Sequence, residues 1–346
     1  MAYRMLPEWA PHKRTWMAWP NNPDTIEPIG TDEDAHRAWA NVANAIARFE
    51  PVIMICNHGH GAHARTHLDG NVSILETELG DSWMRDFGPT FVVDDVTGAL
   101  GAVDWTFNGW GGRTFPDCSA DAEIAAFVAR QAGAERIPSK LVNEGGGIHV
   151  DGQGTLFVTE TVQMNRNRNP SWTRAEIEAE LHARLGTNTT VWVPRGLLAD
   201  TVAGGTDGHV DTLAAFVKPG VVVVHGQPDS AHPDHEAAKE IAAVMRAAKD
   251  AAGNPLEVIV LDAPTPTFDA HGDEETASYV NFSFVNGGIV LCAFGDPKDE
   301  DVAGLFRRLF NDREVVSVDA VPIFKGGGGV HCITQQEPLC AGNSNA

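Results

Sequence analysis

The chain has 346 residues, with 25 Lys and Arg against 47 Asp and Glu, for a formal charge of -22. Apolar residues make up 43% and charged residues 21%, which excludes a disordered chain and is ordinary for a folded one. The acidic balance speaks against nucleic-acid backbones and anionic membranes as partners and favours a small cation. No apolar run approaches the ~20 residues of a membrane span. The first twenty residues hold no apolar signal core, and the five cysteines include no CxxC pair. A cytoplasmic protein is therefore expected, with neither a disulfide framework nor a thiolate zinc site.

In chain order, apolar spacing at i, i+3 and i+4 predicts an amphipathic helix over 34–49, followed by a strand over 51–56. Next come His58, His60, His63 and His67, close together as zinc ligands would be. No carboxylate or thiolate completes a set at their spacing, so no metal site is expected there. Trp9, Trp16 and Trp19 read as core contacts. The helix-then-strand pattern returns at 121–131 and 135–137, at 173–185 and 189–194, at 234–251 and 256–261, and at 299–310 and 314–318. Between these units lie paired strand-like runs split by turns at 94–98, 151–154, 218–220 and 286–288. The repeat length, roughly 50–75 residues, is that of one supersecondary unit. Five small ββαβ units around an axis explain this count better than one doubly wound sheet. With no Pro/Ser-rich linker to divide it, residues 1–346 are expected to form a single domain ending in a short tail over 339–346.

The unusual residue groups fall at one place in this unit, just before or at the start of the hairpin. They are Trp83-Met84-Arg85-Asp86, Asn143-Glu144-Gly145-Gly146-Gly147, Thr206-Asp207-Gly208-His209-Val210-Asp211, and Gly326-Gly327-Gly328-Gly329-Val330-His331-Cys332. In a closed array such loops would converge. Cys332, behind four glycines that leave the backbone open to a ligand, is the best candidate nucleophile, whereas Cys56 and Cys292 read as core thiols. His209 and Asp211 alternate as on a strand start and would face the same side, as an acid/base pair or as a hydrogen-bonded core pair. Asp86 could equally form a surface ion pair with a neighbour. Glu144 could orient a histidine or cap a turn. Neither glycine run carries a phosphate-loop signature, so nucleotide binding is disfavoured.

Together with Glu8-Trp9, Phe107-Asn108-Gly109-Trp110-Gly111-Gly112, Asn167-Arg168-Asn169-Pro170, Ala277-Ser278-Tyr279-Val280-Asn281-Phe282 and His331-Cys332-Ile333-Thr334, these blocks resemble the agmatine deiminase and peptidylarginine deiminase family. The resemblance spans residues 4 to 338. It implies an α/β fold, a five-bladed pseudo-symmetric ββαβ propeller (the pentein fold). It also implies hydrolysis of a guanidino to a ureido group with release of ammonia, without metal or cofactor. By position, Cys332 would be the nucleophile and His209 the acid/base, held by Glu144, while Asp86 and Asp211 grip the guanidinium. Trp83 and Trp110 would line the substrate channel. The expected partner is a small cationic guanidino compound, not nucleic acid or membrane, with homo-oligomerisation left open.

Agmatine, giving N-carbamoylputrescine, is the expected substrate, with one departure. Agmatine-using members read like Asp-Thr-Asn-Gly-His, where the acidic residue suits the distal amine; that place is Gly205 here. Asp200 or Asp207 could supply the charge instead, and Arg113 would suit a substrate carboxylate. The alternatives are a deiminase for arginine or peptidyl-arginine and, on the same chemistry, an amidinotransferase.

Overall fold

The structure is a computed structural model that describes residues 3–112, 115, 117–201, 204–266, 268 and 274–343. Its five longer helices are α1 (Asp32–Ala47), α2 (Ile124–Ala132), α3 (Arg174–Leu185), α4 (His235–Ala247) and α5 (Lys298–Leu309). Local chemistry explains their limits. Thr173 accepts from the Glu176 backbone while Glu176 accepts from Thr173, a capping box that starts α3, and Gly186 ends it at φ 66°. Ile177, Leu181 and Leu185 form the buried stripe of α3. α4 stops short of the expected Ala251 because Ala248 turns extended, at φ -71° and ψ 157°.

Each helix connects two parallel neighbours in one of five small sheets, giving a mixed α/β fold. In the first, Thr90–Asp94 pairs antiparallel with Leu100–Thr106, which pairs parallel with Glu135–Val142 across α2. The same ββαβ order recurs in Ile148–Val150, Thr155–Thr159 and Thr189–Val193 around α3. It recurs again in Ala214–Lys218, Val221–Gly226 and Glu257–Asp262 around α4. Ser283–Val285, Gly288–Ala293 and Glu314–Asp319 repeat it around α5. The fifth unit joins the two ends of the chain. Gln335–Pro338 lies antiparallel to His12–Ala18, which runs parallel to Val52–Cys56 across α1, and Val72–Glu76 adds an edge.

Of the strands reached through helices, Val52–Cys56 lies inside its sheet and is an apolar run with every residue buried, whereas Glu257–Asp262 and Glu314–Asp319 lie at sheet edges and are partly exposed. Trp16, Trp19 and Trp39 are fully buried, as are Cys56 and Cys292, whose thiols burial pushes up to about 12. Residues 339–343 are tied down, contrary to the expected tail. Leu339 N–H donates to the Pro11 carbonyl at 2.8 Å and Gly342 N–H to the Gly98 carbonyl at 2.9 Å. Among the described residues no helix is long and apolar enough to cross a membrane.

Candidate active site

The segment before the hairpin's first strand is the same structural position in all five units, and each delivers a side chain to one place. Asp86 lies in the single-turn helix Met84–Phe87 ahead of Thr90–Asp94. Glu144 precedes the 3-10 turn Gly145–Gly147, and His209 opens the 3-10 turn Val210–Thr212 that carries Asp211. Asn281 precedes Ser283–Val285, and Cys332 precedes Gln335–Pro338. His209 and Asp211 thus sit in a turn rather than on the expected strand start, and converge nonetheless. All six side chains are buried.

Cys332 Sγ lies 3.6 Å from Asp211 Oδ2 and accepts from Asn281 Nδ2 at 3.2 Å. Its neighbouring N–H groups are fixed too, with His331 N–H donating to Asn281 Oδ1 at 2.9 Å. The first and fifth units are stitched together by Arg85 N–H, which donates to the Cys332 carbonyl at 3.0 Å. His209 stands between two carboxylates, its Nε2 3.4 Å from Glu144 Oε2 and its Nδ1 3.6 Å from Asp86 Oδ1. Trp110 Nε1–H donates to Asp86 Oδ2 at 2.9 Å and Gly146 N–H donates to Asp86 Oδ1 at 3.0 Å. Gly146 must lack a side chain: a Cβ there would stand 2.5 Å from His209 Nδ1 and 2.9 Å from Asp86 Oδ1. Among the described residues, His209 Nδ1 and Asp211 Oδ1 are buried without a hydrogen-bond partner. Buried polar atoms are seldom left so, and two on side chains that line one cavity with Cys332 point to a polar ligand.

The electrostatics follow from burial and close packing of charges. Burial pushes the Asp86 carboxyl up to about 6, with Asp211 and Glu144 adding to the rise against the pull of His209. Burial disfavours a charged His209 ring, but Asp86, Glu144 and Asp211 outweigh it and raise the ring to about 9. The Cys332 thiol is pushed well above its ordinary value by burial and by the carboxylates of Asp211 and Asp86. Burial also opposes ionisation of Glu144, yet Arg168 and His209 hold it below the ordinary carboxylate range.

A cavity of about 300 Å³ reaches Cys332, His209 and Asp211 from outside. A narrower space of about 30 Å³, bounded by Trp83, Asp86 and Trp110, shares Cys332 with it. Trp110 adopts left-handed backbone angles, φ 52° and ψ 45°, which a non-glycine residue holds only when its surroundings impose them. The outer lining carries Asp24, Glu274 and Glu275 against Lys325.

The sequence expectations for the outer region change. Asp207 does not line either cavity: its Oδ2 accepts from Arg168 Nη1 at 2.7 Å and from Asn165 Nδ2 at 3.1 Å, so its charge is spent on a structural cation. Asp200 reaches the larger cavity, but its carboxylate accepts from Thr206, Gly208 and His209 backbone N–H groups and braces the loop. Gly205 cannot be the acidic residue of the family pattern here, because a Cβ would fall 2.2 Å from the Asp200 carbonyl. Arg113 lies outside the described residues.

Several site residues carried no sequence-based role. Arg168 donates through Nε to Glu144 at 2.9 Å and through Nη2 to the Thr206 carbonyl at 2.8 Å, joining the second and third units. His331 Nδ1 faces Asp211 Oδ2 and its Nε2 faces Glu8 Oε1, both at 2.8 Å. Asn281 was readable: it occupies in the fourth unit the place that Asp86, Glu144, His209 and Cys332 occupy in theirs.

A buried cysteine, a histidine between carboxylates and orphaned polar atoms at a cavity define a site built for a polar, cationic ligand. The family profile of the Porphyromonas-type peptidyl-arginine deiminases matches residues 4–338. The chain is 54% identical to a Streptomyces avermitilis protein provisionally named agmatine deiminase, over 97% of each chain. It is 41% identical to the agmatine deiminase of Stutzerimonas stutzeri, over 97% of this chain and 95% of the other. The solved agmatine deiminase of Enterococcus faecalis superposes with a TM-score of 0.91 at 32% identity, covering 97% of this chain and 96% of that one. The chain belongs to the Porphyromonas-type peptidyl-arginine deiminase family.

Proposed function

We propose that this protein is a cytoplasmic agmatine deiminase, hydrolysing the guanidinium of agmatine to the ureido group of N-carbamoylputrescine with release of ammonia. Its single domain is a five-bladed propeller of ββαβ units with the site at the axis, as the pairing of ends and the equivalence of the five site-bearing segments suggest. The observation that carries the reading is the pair Asp86 and Asp211 beside the Cys332 sulfur, with Asp211 Oδ1 and His209 Nδ1 buried and unmatched. Two carboxylates with free acceptor positions suit the forked N–H groups of a planar cation.

Asp86 and Asp211 bind and orient the guanidinium over Sγ. Its positive charge offsets the two carboxylates that hold the thiol protonated, so substrate itself favours the thiolate, and the thiol proton leaves to solvent, where the released ammonia later takes up a proton as ammonium. Sγ forms a bond to the guanidinium carbon, and the charged His209 gives its proton to one nitrogen. That C–N bond breaks, ammonia leaves, and a thiouronium remains on Cys332. Neutral His209, steadied by Glu144, then takes a proton from water as its oxygen bonds to the same carbon. The C–S bond breaks, its electrons return to sulfur, the hydroxyl proton passes to that sulfur as the thiol re-forms, and the neutral ureido product departs. No electrons are exchanged with a cofactor and no metal is required by these steps.

Agmatine is favoured over arginine by the outer lining, where Asp24 and Glu275, beside a Glu274 whose Oε1 faces His232 Nε2 at 2.6 Å, outnumber Lys325 and suit a distal ammonium better than a carboxylate. The names of the relatives agree with this choice. The test is ammonia and ureido product measured across agmatine, arginine, arginyl peptides and short guanidines, with Cys332→Ala as control. Turnover of agmatine alone, abolished in the variant with the fold intact, supports the reading. Preference for arginine, transfer of the amidino group to an amine, or near wild-type turnover without the thiol would overturn it.

A further inference from the structure

Away from the active site, four side chains from two segments meet at the surface. α1 supplies Glu33 and His36, and the segment after Val52–Cys56 supplies His63 and His67. One ligand atom from each lies within 4.8 Å of all the others. His36 Nδ1 is 3.0 Å from His63 Nε2, and His67 Nε2 is 3.6 Å from Glu33 Oε2. Zinc with nitrogen ligands at about 2.0–2.1 Å in a tetrahedron spaces those ligands about 3.4 Å apart, so the two observed separations bracket the required one.

The second ring nitrogen of His36 also matters. A carbonyl only accepts, so the contact of His36 Nε2 with the Pro20 carbonyl at 3.2 Å puts the proton on Nε2 and leaves the Nδ1 lone pair facing the cluster. The buried His36 ring stacks on Trp19 with centroids 4.7 Å apart, which fixes its plane. The other segment is held without any ion. Asn44 Nδ2 donates to the His67 carbonyl at 3.0 Å and Asp69 N–H donates to Asn44 Oδ1 at 2.8 Å. Such fixed orientation of a ligating imidazole by a carbonyl is the usual surrounding of a metal-bound histidine.

We propose that Glu33, His36, His63 and His67 form a binding site for a divalent transition ion of the zinc type, clamping α1 to the 61–67 segment. The donor set, three imidazoles and one carboxylate, suits Zn²⁺ and its Co²⁺ substitute and does not suit Mg²⁺ or Ca²⁺. The sequence reading looked for a completing carboxylate near the histidines, whereas Glu33 and His36 come from α1. His58 and His60 stay out of the set. Among the described residues the other cluster of this kind, Glu8, His149 and His331, is buried and has both His331 nitrogens facing carboxylates, so it is wired for protons rather than open to an ion.

The full chain, stripped with chelator and carrying Cys332→Ala so that the thiol cannot compete, is titrated with Zn²⁺ by calorimetry and with Co²⁺ by visible absorption. One ion per chain with the ligand-field bands of four-coordinate Co²⁺, and a higher melting temperature with Zn²⁺, are expected. His63→Ala with His67→Ala should weaken binding more than about tenfold, as should Glu33→Gln alone, while His58→Ala with His60→Ala leaves it unchanged. In the Cys332 chain these surface changes should leave metal-free turnover as it was. Absence of saturable binding, or affinity indifferent to the His63, His67 and Glu33 changes, overturns the site.

Discussion

His331 Nδ1 lies 2.8 Å from Asp211 Oδ2, and the same carboxylate oxygen stands 3.6 Å from Cys332 Sγ. The residue next to the cysteine in sequence thus holds the carboxylate across from it. Behind His331, Glu8 accepts at 2.8 Å and also faces Arg85 and His149, which with His331 hold it well below the ordinary carboxylate range despite burial.

Glu8 therefore acts through His331 rather than on substrate. Glu8→Gln keeps the shape and removes one of the charges that raise His331 above the ordinary histidine value, which loosens its hold on Asp211. KM for agmatine should rise about tenfold, roughly 1.4 kcal/mol, with a smaller change in kcat. An unchanged KM in steady-state kinetics would detach Glu8 from substrate positioning.

The pH profile should be a bell. Asp86, raised to about 6, must be ionised to hold a cation, so kcat/KM falls as pH drops through about 6. His209, raised to about 9, must be protonated to release ammonia, so the rate falls again as pH climbs through about 9. The same raised histidine contributes stability below its unfolded value of about 6.5 that is lost as pH rises through its folded one. Melting temperatures taken across that range should decline on the alkaline side. His209→Asn should remove the alkaline limb from whatever residual activity it keeps.

In the free protein Cys332 should react slowly with iodoacetamide at neutral pH, faster as pH rises, because burial, Asp211 and Asp86 keep the proton on sulfur. Asp86→Asn removes one of those negative charges. It should speed alkylation at neutral pH several-fold while abolishing turnover, an opposite movement that a merely misfolded variant would not give. Mass spectrometry of the modified cysteine measures the first and ammonia release the second.

Arg168 and Glu144 are a fully buried ion pair at 2.9 Å. Arg168→Met strands a carboxylate in the interior and should cost about 3–5 kcal/mol of stability. Adding Glu144→Gln should return part of that stability but none of the activity, since His209 has then lost its partner. Denaturation curves on the single and double variants read the coupling directly.

The repeat was legible because it is written in local chemistry: apolar spacing in five helices, a strand after each, and glycine or aspartate at each hairpin turn. The site was legible where unusual residues cluster, as at Gly326–Gly329 before Cys332 or Gly145–Gly147 after Glu144. What escaped are long-range pairings that leave no local mark. Arg168 is an ordinary loop arginine until the fold sets it against Glu144, Asp207 and the Thr206 carbonyl. Asp207 looks available in sequence because nothing there says that Arg168 neutralises it. Glu33 and His36 belong to a helix pattern and meet His63 and His67 only when the chain returns.

Cys332 sits three residues ahead of the strand Gln335–Pro338, which completes the sheet begun by His12–Ala18. During synthesis the sulfur and its anchoring strand leave the ribosome after every other part of the pocket has been made. A nascent chain is thus chemically silent until Gln335–Pro338 docks on His12–Ala18, and turnover becomes a direct report that this pairing has formed.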